Sequence, residues 1–370
     1  MEEDSFEENL EAYESLRGQH RLLPVKVSRF YQKKIDQEVQ HLGHRRGPLH
    51  RIVYPSAEKL NDKQLHEVND FVDDRANMPS SSQQSFIHKY QKTVLFMPLS
   101  HCLSNCMYCF RQDVLEERES IKREQKLESQ LEALVAYLLE HPELEEVILS
   151  GGDPMMLPAE QLQHILETLT QKTLIRHFRL HTKTIVFDPR SFSIKHQEVL
   201  EQYRVRVVFH IVHPYEICSE VEQKIAECRK RGIRLYNHFP ILRHINDHVD
   251  VLIENVKACD ELGINTLSIY FPDPVQYSSA YRISFQRLFS ITKDFNHNTP
   301  SWINATRFCQ DTVHGKVRPD DLIEYEPLKG YALFEREGQI IKVPDHPIHL
   351  DQPGDLDAML WKTRIKGVLH

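Results

Sequence analysis

No apolar run in the 370 residues is long enough to span a bilayer, which excludes a helical membrane anchor. The start carries no signal-peptide pattern either, since Met1-Glu2-Glu3-Asp4 is acidic. Positive charge is in short supply: 46 Lys and Arg stand against 54 Asp and Glu, a net charge of −8. That balance argues against a general nucleic-acid binder, and the basic cluster His44-Arg45-Arg46 with His50-Arg51 reads as a solvated loop. Cysteines number seven, an odd count with three of them bunched, and none falls in residues 323–370. This usage suits a reducing compartment better than a disulfide framework. The expectation is a cytoplasmic protein with neither nucleic-acid nor membrane partners.

The bunched cysteines form Cys102-x3-Cys106-x2-Cys109, directly after an apolar stretch at 93–99. Thiolate is the soft, anionic ligand that iron–sulfur clusters take, and three at this spacing can close one short loop around a four-iron, four-sulfur cube. A cube has four irons, so one is left open for a small molecule. A zinc knuckle completed by His101, or three buried free thiols, is the alternative. A second motif, Ser150-Gly151-Gly152-Asp153-Pro154, follows an apolar run. Paired glycines let a backbone approach a ligand closely, and the carboxylate after them can hold an ammonium.

Residues 1–82 read as a helical N-terminal lobe, with a polar helix at about 57–74 and a linker at Pro79-Ser80-Ser81-Ser82. From 93 onward β-rich runs at 93–99, 146–149, 177–182, 205–211, 234–240, 266–270 and 301–305 alternate with amphipathic stretches at 127–140, 159–169, 220–231 and 249–262. Strand followed by helix, repeated, predicts a parallel sheet covered by helices. The expected fold is α/β: a partial (β/α)6 barrel over 83–322, followed by a C-terminal extension, 323–370. Ligands of such barrels gather at the carboxyl ends of the strands, and both motifs lie there.

The cysteine run resembles the cluster loop of the radical S-adenosylmethionine (SAM) enzymes, and the chain as a whole resembles the lysine 2,3-aminomutase family. The likeness rests also on Leu23-Pro24-Val25 through Phe30-Tyr31, Ser150-Gly151-Gly152-Asp153, Phe209-His210-Ile211-Val212-His213-Pro214 and Leu242-Arg243-His244-Ile245-Asn246-Asp247. The resemblance implies a 4Fe-4S cluster on Cys102, Cys106 and Cys109, with SAM at Ser150, Gly151, Gly152, Asp153 and His210. It implies pyridoxal 5′-phosphate as well, joined as a Schiff base to Lys316, with Lys329 as the other candidate. His88-Lys89-Tyr90-Gln91-Lys92 resembles the family's phosphate segment, which points to Lys89, Tyr90 and Lys92. Arg111 falls at the family's substrate-carboxylate arginine, and Asp273 and Asp311 at the carboxylates that meet a distal ammonium. The implied reaction moves the α-amino group of lysine, or a similarly basic amino acid, from C2 to C3. An electron donor such as flavodoxin or ferredoxin would be required.

This sequence also departs from the family. A single glycine, Gly315, stands in place of a glycine run before Lys316, and Asp311 lies five residues before that lysine, closer than in the family. The tail lacks the family's zinc-binding cysteines, so no structural zinc is expected, and a homodimer is the default assembly. Two further readings therefore stay open: a radical SAM enzyme of another reaction type that has lost pyridoxal phosphate, and a zinc-binding interaction protein.

Overall fold

The structure, a computed structural model, describes residues 6–362 apart from 65, 83 and 122–126. The acidic first residues and the end of the tail lie outside that set. The sheet runs β1 (Phe86–Tyr90), β2 (Thr93–Leu99), β3 (Glu146–Gly151), β4 (His177–Thr182), β5 (Arg206–Phe209), β6 (Arg234–Pro240), β7 (Asn265–Tyr270), β8 (Arg307–Thr312) and β9 (Gly315–Val317), in that spatial order. Strands β2 to β8 are parallel, while β1 and β9 close the two edges as antiparallel hairpins. This is the expected partial barrel, lengthened by β8 beyond the sixth parallel strand. The two edge strands are not ladder partners. Side chains reach across instead: Lys316 on β9 donates to Tyr90 Oη on β1 at 3.3 Å, and Lys89 on β1 to the Thr312 carbonyl on neighbouring β8 at 2.5 Å.

Helices cover the outer face because their apolar residues recur at helical spacing. Leu131, Leu134 and Leu138 are buried on the helix Leu127–Glu140, and Leu162, Ile165, Leu166 and Leu169 on Ala159–Lys172. Two expectations need correction. The helix foreseen at 57–74 stops after Ala57–Asn61, where Asn61-Asp62 turns the chain, and the rest is irregular. Residues 301–305 are not a strand, because Pro300 sits before a helical turn, Ser301–Asn304, and the strand is β8. Strand β8 escaped notice because its sequence, Arg-Phe-Cys-Gln-Asp-Thr, is polar on the face it turns to the barrel interior.

The helices Phe6–His20, Arg29–Leu42 and Pro48–Val53 precede the barrel. The tail forms an antiparallel sheet, β10 (Leu322–Glu326), β11 (Tyr331–Arg336) and β12 (Gln339–Pro344). One buried core runs from Tyr13 through the barrel to Val343 and Trp361. Buried carboxylates hold the tail in place: Asp345 accepts from Phe285 N at 2.8 Å and Asp351 from Ser284 N at 2.9 Å, capping the helix Phe285–Asn298.

Candidate active site

The barrel encloses a cavity of about 910 Å³ lined by Cys102, Cys106 and Cys109. The loop carrying them leaves the end of β2 and is clamped by the segment before helix Arg29–Leu42. Asn105 N donates to Lys26 O at 2.9 Å, Asn105 Nδ2 to Pro24 O at 2.9 Å, Ser28 N to Ser104 Oγ at 2.9 Å, and Lys26 Nζ to Cys102 O at 2.7 Å. Met107 N donates to Ile52 O at 2.8 Å. The N-terminal segments thus fix the loop through its main chain and the side chains of Ser104 and Asn105, and leave its thiols to the cavity. Burial pushes the Cys106 thiol up to about 12 and raises those of Cys102 and Cys109. Without a compensating cation, these thiols stay neutral; iron is such a cation. His101 is exposed, and its main chain packs on Gly152.

That packing explains the glycine pair. A Cβ on Gly152 would lie 2.3 Å from His101 O, and one on Gly151, whose φ is +99°, would lie 2.7 Å from Met97 Cβ. The Asp153 carboxylate accepts from Thr182 Oγ1 at 2.7 Å, Lys183 N at 2.8 Å, Thr184 N at 2.9 Å and Met155 N at 3.1 Å. It therefore ties the end of β3 to the end of β4, and it lines the same cavity. Ser150 and His210 line the cavity. The His210 ring lies 5.8 Å from that of Tyr108, and burial lowers its pKa well below the ordinary value, so the imidazole is neutral.

Arg111 also lines the cavity, and Asp74 accepts from its Nε at 2.6 Å. The bond uses Nε alone and fixes the plane of the guanidinium. Asp74 was missed in the sequence, where it looks like the polar end of a helix.

Across the cavity the β8–β9 turn is tight: Asp311 is the ladder partner of Lys316, and Thr312 of Gly315. Cross-strand partners project from the same face, so the short turn forces the two charges together. Lys316 Nζ lies 3.0 Å from Asp311 Oδ1 and 3.3 Å from Tyr90 Oη. Burial alone would depress the Lys316 pKa, yet Asp311, Tyr270 and Tyr90 hold it above its ordinary value. Asp273 accepts from Gln310 Nε2 at 2.6 Å; burial, then neighbouring Asp311, raises its pKa well above the usual carboxylate range.

The expected phosphate segment is divided. Tyr90 and Lys89 line the cavity, but Lys89 Nζ donates to Val72 O at 2.8 Å as well as to Thr312 O. Lys92 sits in the tight β1–β2 turn and pairs with Glu145 at 2.9 Å, away from the cavity. Its expected role is therefore corrected: the turn that pairs Tyr90 with Thr93 points it outward. Lys329 pairs with Glu324 at 2.6 Å on the tail sheet. The sequence also gave no sign of His181 and His238, whose rings meet inside the barrel at 4.8 Å, or of Lys183.

Residues 91–218 match a family model described as a 4Fe-4S single cluster domain. Curated relatives are named L-lysine 2,3-aminomutase. That of Buchnera aphidicola is 28% identical over 64% of this chain and 68% of its own length. The Escherichia coli protein is 25% identical over 75% and 78%, and the Haemophilus influenzae protein 26% over 82% and 84%. A solved radical SAM methyltransferase from Sphaerobacter thermophilus superposes with a TM-score of 0.43 at 12% identity, covering 62% of this chain and 72% of that one.

Proposed function

We propose, from the premise that this chain is a divergent lysine 2,3-aminomutase-like radical SAM enzyme, that it moves an amino group between C2 and C3 of lysine or a similarly basic amino acid. One observation carries the reading: the cluster-loop thiols, Arg111 and the Asp311–Lys316 pair all line one cavity. The division into 1–82, 83–322 and 323–370 belongs to this proposal, the first part serving to clamp the cluster loop.

The residues fit the cofactors unevenly. Cys102, Cys106 and Cys109 would hold the cluster, and Ser150, Gly151, Gly152, Asp153 and His210 would border SAM. Lys316 suits the aldehyde end of pyridoxal phosphate. When bound, these groups supply a reducing electron, a 5′-deoxyadenosyl radical and an aldehyde carbon able to carry an amino group.

The chain's own side chains would then do the positioning. Arg111, held by Asp74, presents its terminal nitrogens to the substrate carboxylate. Asp311 neutralises Lys316 until that lysine is engaged; its carboxylate is then left beside Asp273, and two carboxylates together favour a substrate ammonium. The neutral His181 and His238 wall the space between.

A second reading, a radical SAM enzyme without pyridoxal phosphate, is favoured by the phosphate end, where Lys89 is engaged by carbonyls and Lys92 faces outward. Anaerobic reconstitution with iron, sulfide and pyridoxal phosphate separates the two. The first expects a visible band lost in Lys316→Ala and β-amino acid product from lysine. Production of 5′-deoxyadenosine with no such band would transfer support to the second.

A further inference from the structure

Two buried lysines converge beside the cluster loop on a single residue, Glu216, which is fully buried. Lys183 Nζ donates to Glu216 Oε1 at 2.6 Å and to His210 O at 2.8 Å. Lys34 Nζ donates to the Glu216 carbonyl at 2.6 Å and to Val186 O at 3.2 Å. Tyr31 Oη donates to Glu216 Oε1 at 3.0 Å, and Val212 N to Oε2 at 2.7 Å. Both oxygens of the carboxylate are thus engaged, with Lys183 as its one ammonium partner, while Lys34 meets main-chain carbonyls, so two buried ammonium groups stand against one carboxylate. Surplus buried positive charge is costly unless an anion faces it.

The anion is near. Lys183 lines the cavity with Cys106, and the short helix that follows it, Thr184–Phe187, is tied to the cluster loop through Ser28. Ser28 Oγ donates to Phe187 O, and Ser28 N to Ser104 Oγ. Two more contacts bind this lysine's surroundings to the loop: Asp153 N donates to His101 O at 3.0 Å, and the Tyr108 ring of the loop lies 5.8 Å from that of His210, whose carbonyl Lys183 holds. Asp153 fixes the same lysine from behind by accepting its main-chain N–H at 2.8 Å.

We propose that Lys183, clamped by Glu216, is a fixed cation that raises the reduction potential of the cluster held by Cys102, Cys106 and Cys109. The inference rests on the cluster reading above. A cube on three thiolates is anionic and gains one further negative charge on reduction, when a single electron arrives from a low-potential donor and no bond is broken. A nearby cation stabilises the reduced form more than the oxidised one, and net charge and surroundings are what set such potentials.

The test is a redox titration of the reconstituted protein, followed by electron paramagnetic resonance, without SAM and then with it. Iron and sulfide are measured first; a parent protein that takes up neither sinks the cluster reading itself. In Lys183→Gln, with cluster content retained, the ratio of reduced to oxidised cluster at a fixed potential should fall about tenfold, a shift of about 59 mV for one electron. Lys183→Arg should behave as the parent, and Glu216→Gln should shift the other way. An unchanged potential in Lys183→Gln without SAM overturns the proposal. So does a shift seen only when SAM is present, which would assign the cation to the cofactor's carboxylate. Equal falls in Lys183→Gln and Glu216→Gln would mark both as packing residues and overturn it as well.

Discussion

Replacing Asp74 with asparagine isolates one link between the N-terminal segments and the cavity. The carboxylate accepts from Arg111 Nε at 2.6 Å, with side-chain exposures of 4% for Asp74 and 15% for Arg111, so solvent screens the pair little. Asparagine keeps the shape and one acceptor but removes the charge. A hydrogen bond to a charged group contributes about 1.5–3 kcal/mol, and the neutral remnant retains part of that. A net loss of about 1–2 kcal/mol in holding the guanidinium corresponds to roughly 5- to 30-fold, using 1.4 kcal/mol per tenfold. If Arg111 meets the substrate carboxylate, this appears mainly as a raised KM, because binding and not the radical chemistry depends on that plane. The assay is steady-state turnover on lysine, with cluster iron and SAM cleavage measured on the same preparation. An unchanged KM refutes the role given to Arg111. Loss of iron would instead mean that Asp74 is needed for the loop itself.

Gly152→Ala should lose most of its cluster iron, because the new Cβ meets His101 main chain at 2.3 Å and only movement of the cluster loop relieves it; parent-like iron content would refute the close-packing account. Cys106→Ala should abolish SAM cleavage, measured as 5′-deoxyadenosine, and normal cleavage would remove it from the ligand set. Glu38 yields a pH prediction. Burial raises its pKa to about 7, against partial relief from the Leu49 and His50 main-chain N–H groups. A carboxyl raised in the folded state contributes stability that is complete below about 4.5 and lost as pH rises toward about 7, by at most about 3 kcal/mol. Glu38→Gln should flatten thermal stability across that window, as read by melting temperature against pH; an unaltered slope would refute it.

The barrel was legible because its helices write their inward faces at helical spacing and its strands keep buried apolar residues on at least one face, as Phe178 and Leu180 on β4 and Leu235 and Phe239 on β6 do. Strands 93–99, 177–182 and 234–240 coincide with β2, β4 and β6. The failures share a cause. Strand β8 carries cavity-facing polar residues, so it looks like a loop. Asp74, His181 and Lys183 come together only through tertiary packing, which no local pattern announces. The three-stranded tail sheet is partly exposed and its polar outer face hides the alternation.

The β8–β9 turn shows where motif reading ends and geometry begins. The sequence shows Asp311, one glycine and Lys316, and from the resemblance alone the two charged residues serve separate tasks. Ladder pairing makes them partners, so each governs the other's availability. While Lys316 keeps its proton, Asp311 is satisfied and an incoming ammonium gains little from it. Engaging Lys316 covalently removes that cation and turns the same hairpin into an acidic site beside Asp273. A longer glycine turn would separate the charges and lose this dependence. The shortened turn therefore couples the lysine that would anchor a cofactor to the carboxylate that would recognise a substrate, and it predicts that Lys316→Ala, besides losing any cofactor band, binds basic amino acids more tightly than the parent does before its cofactor is added.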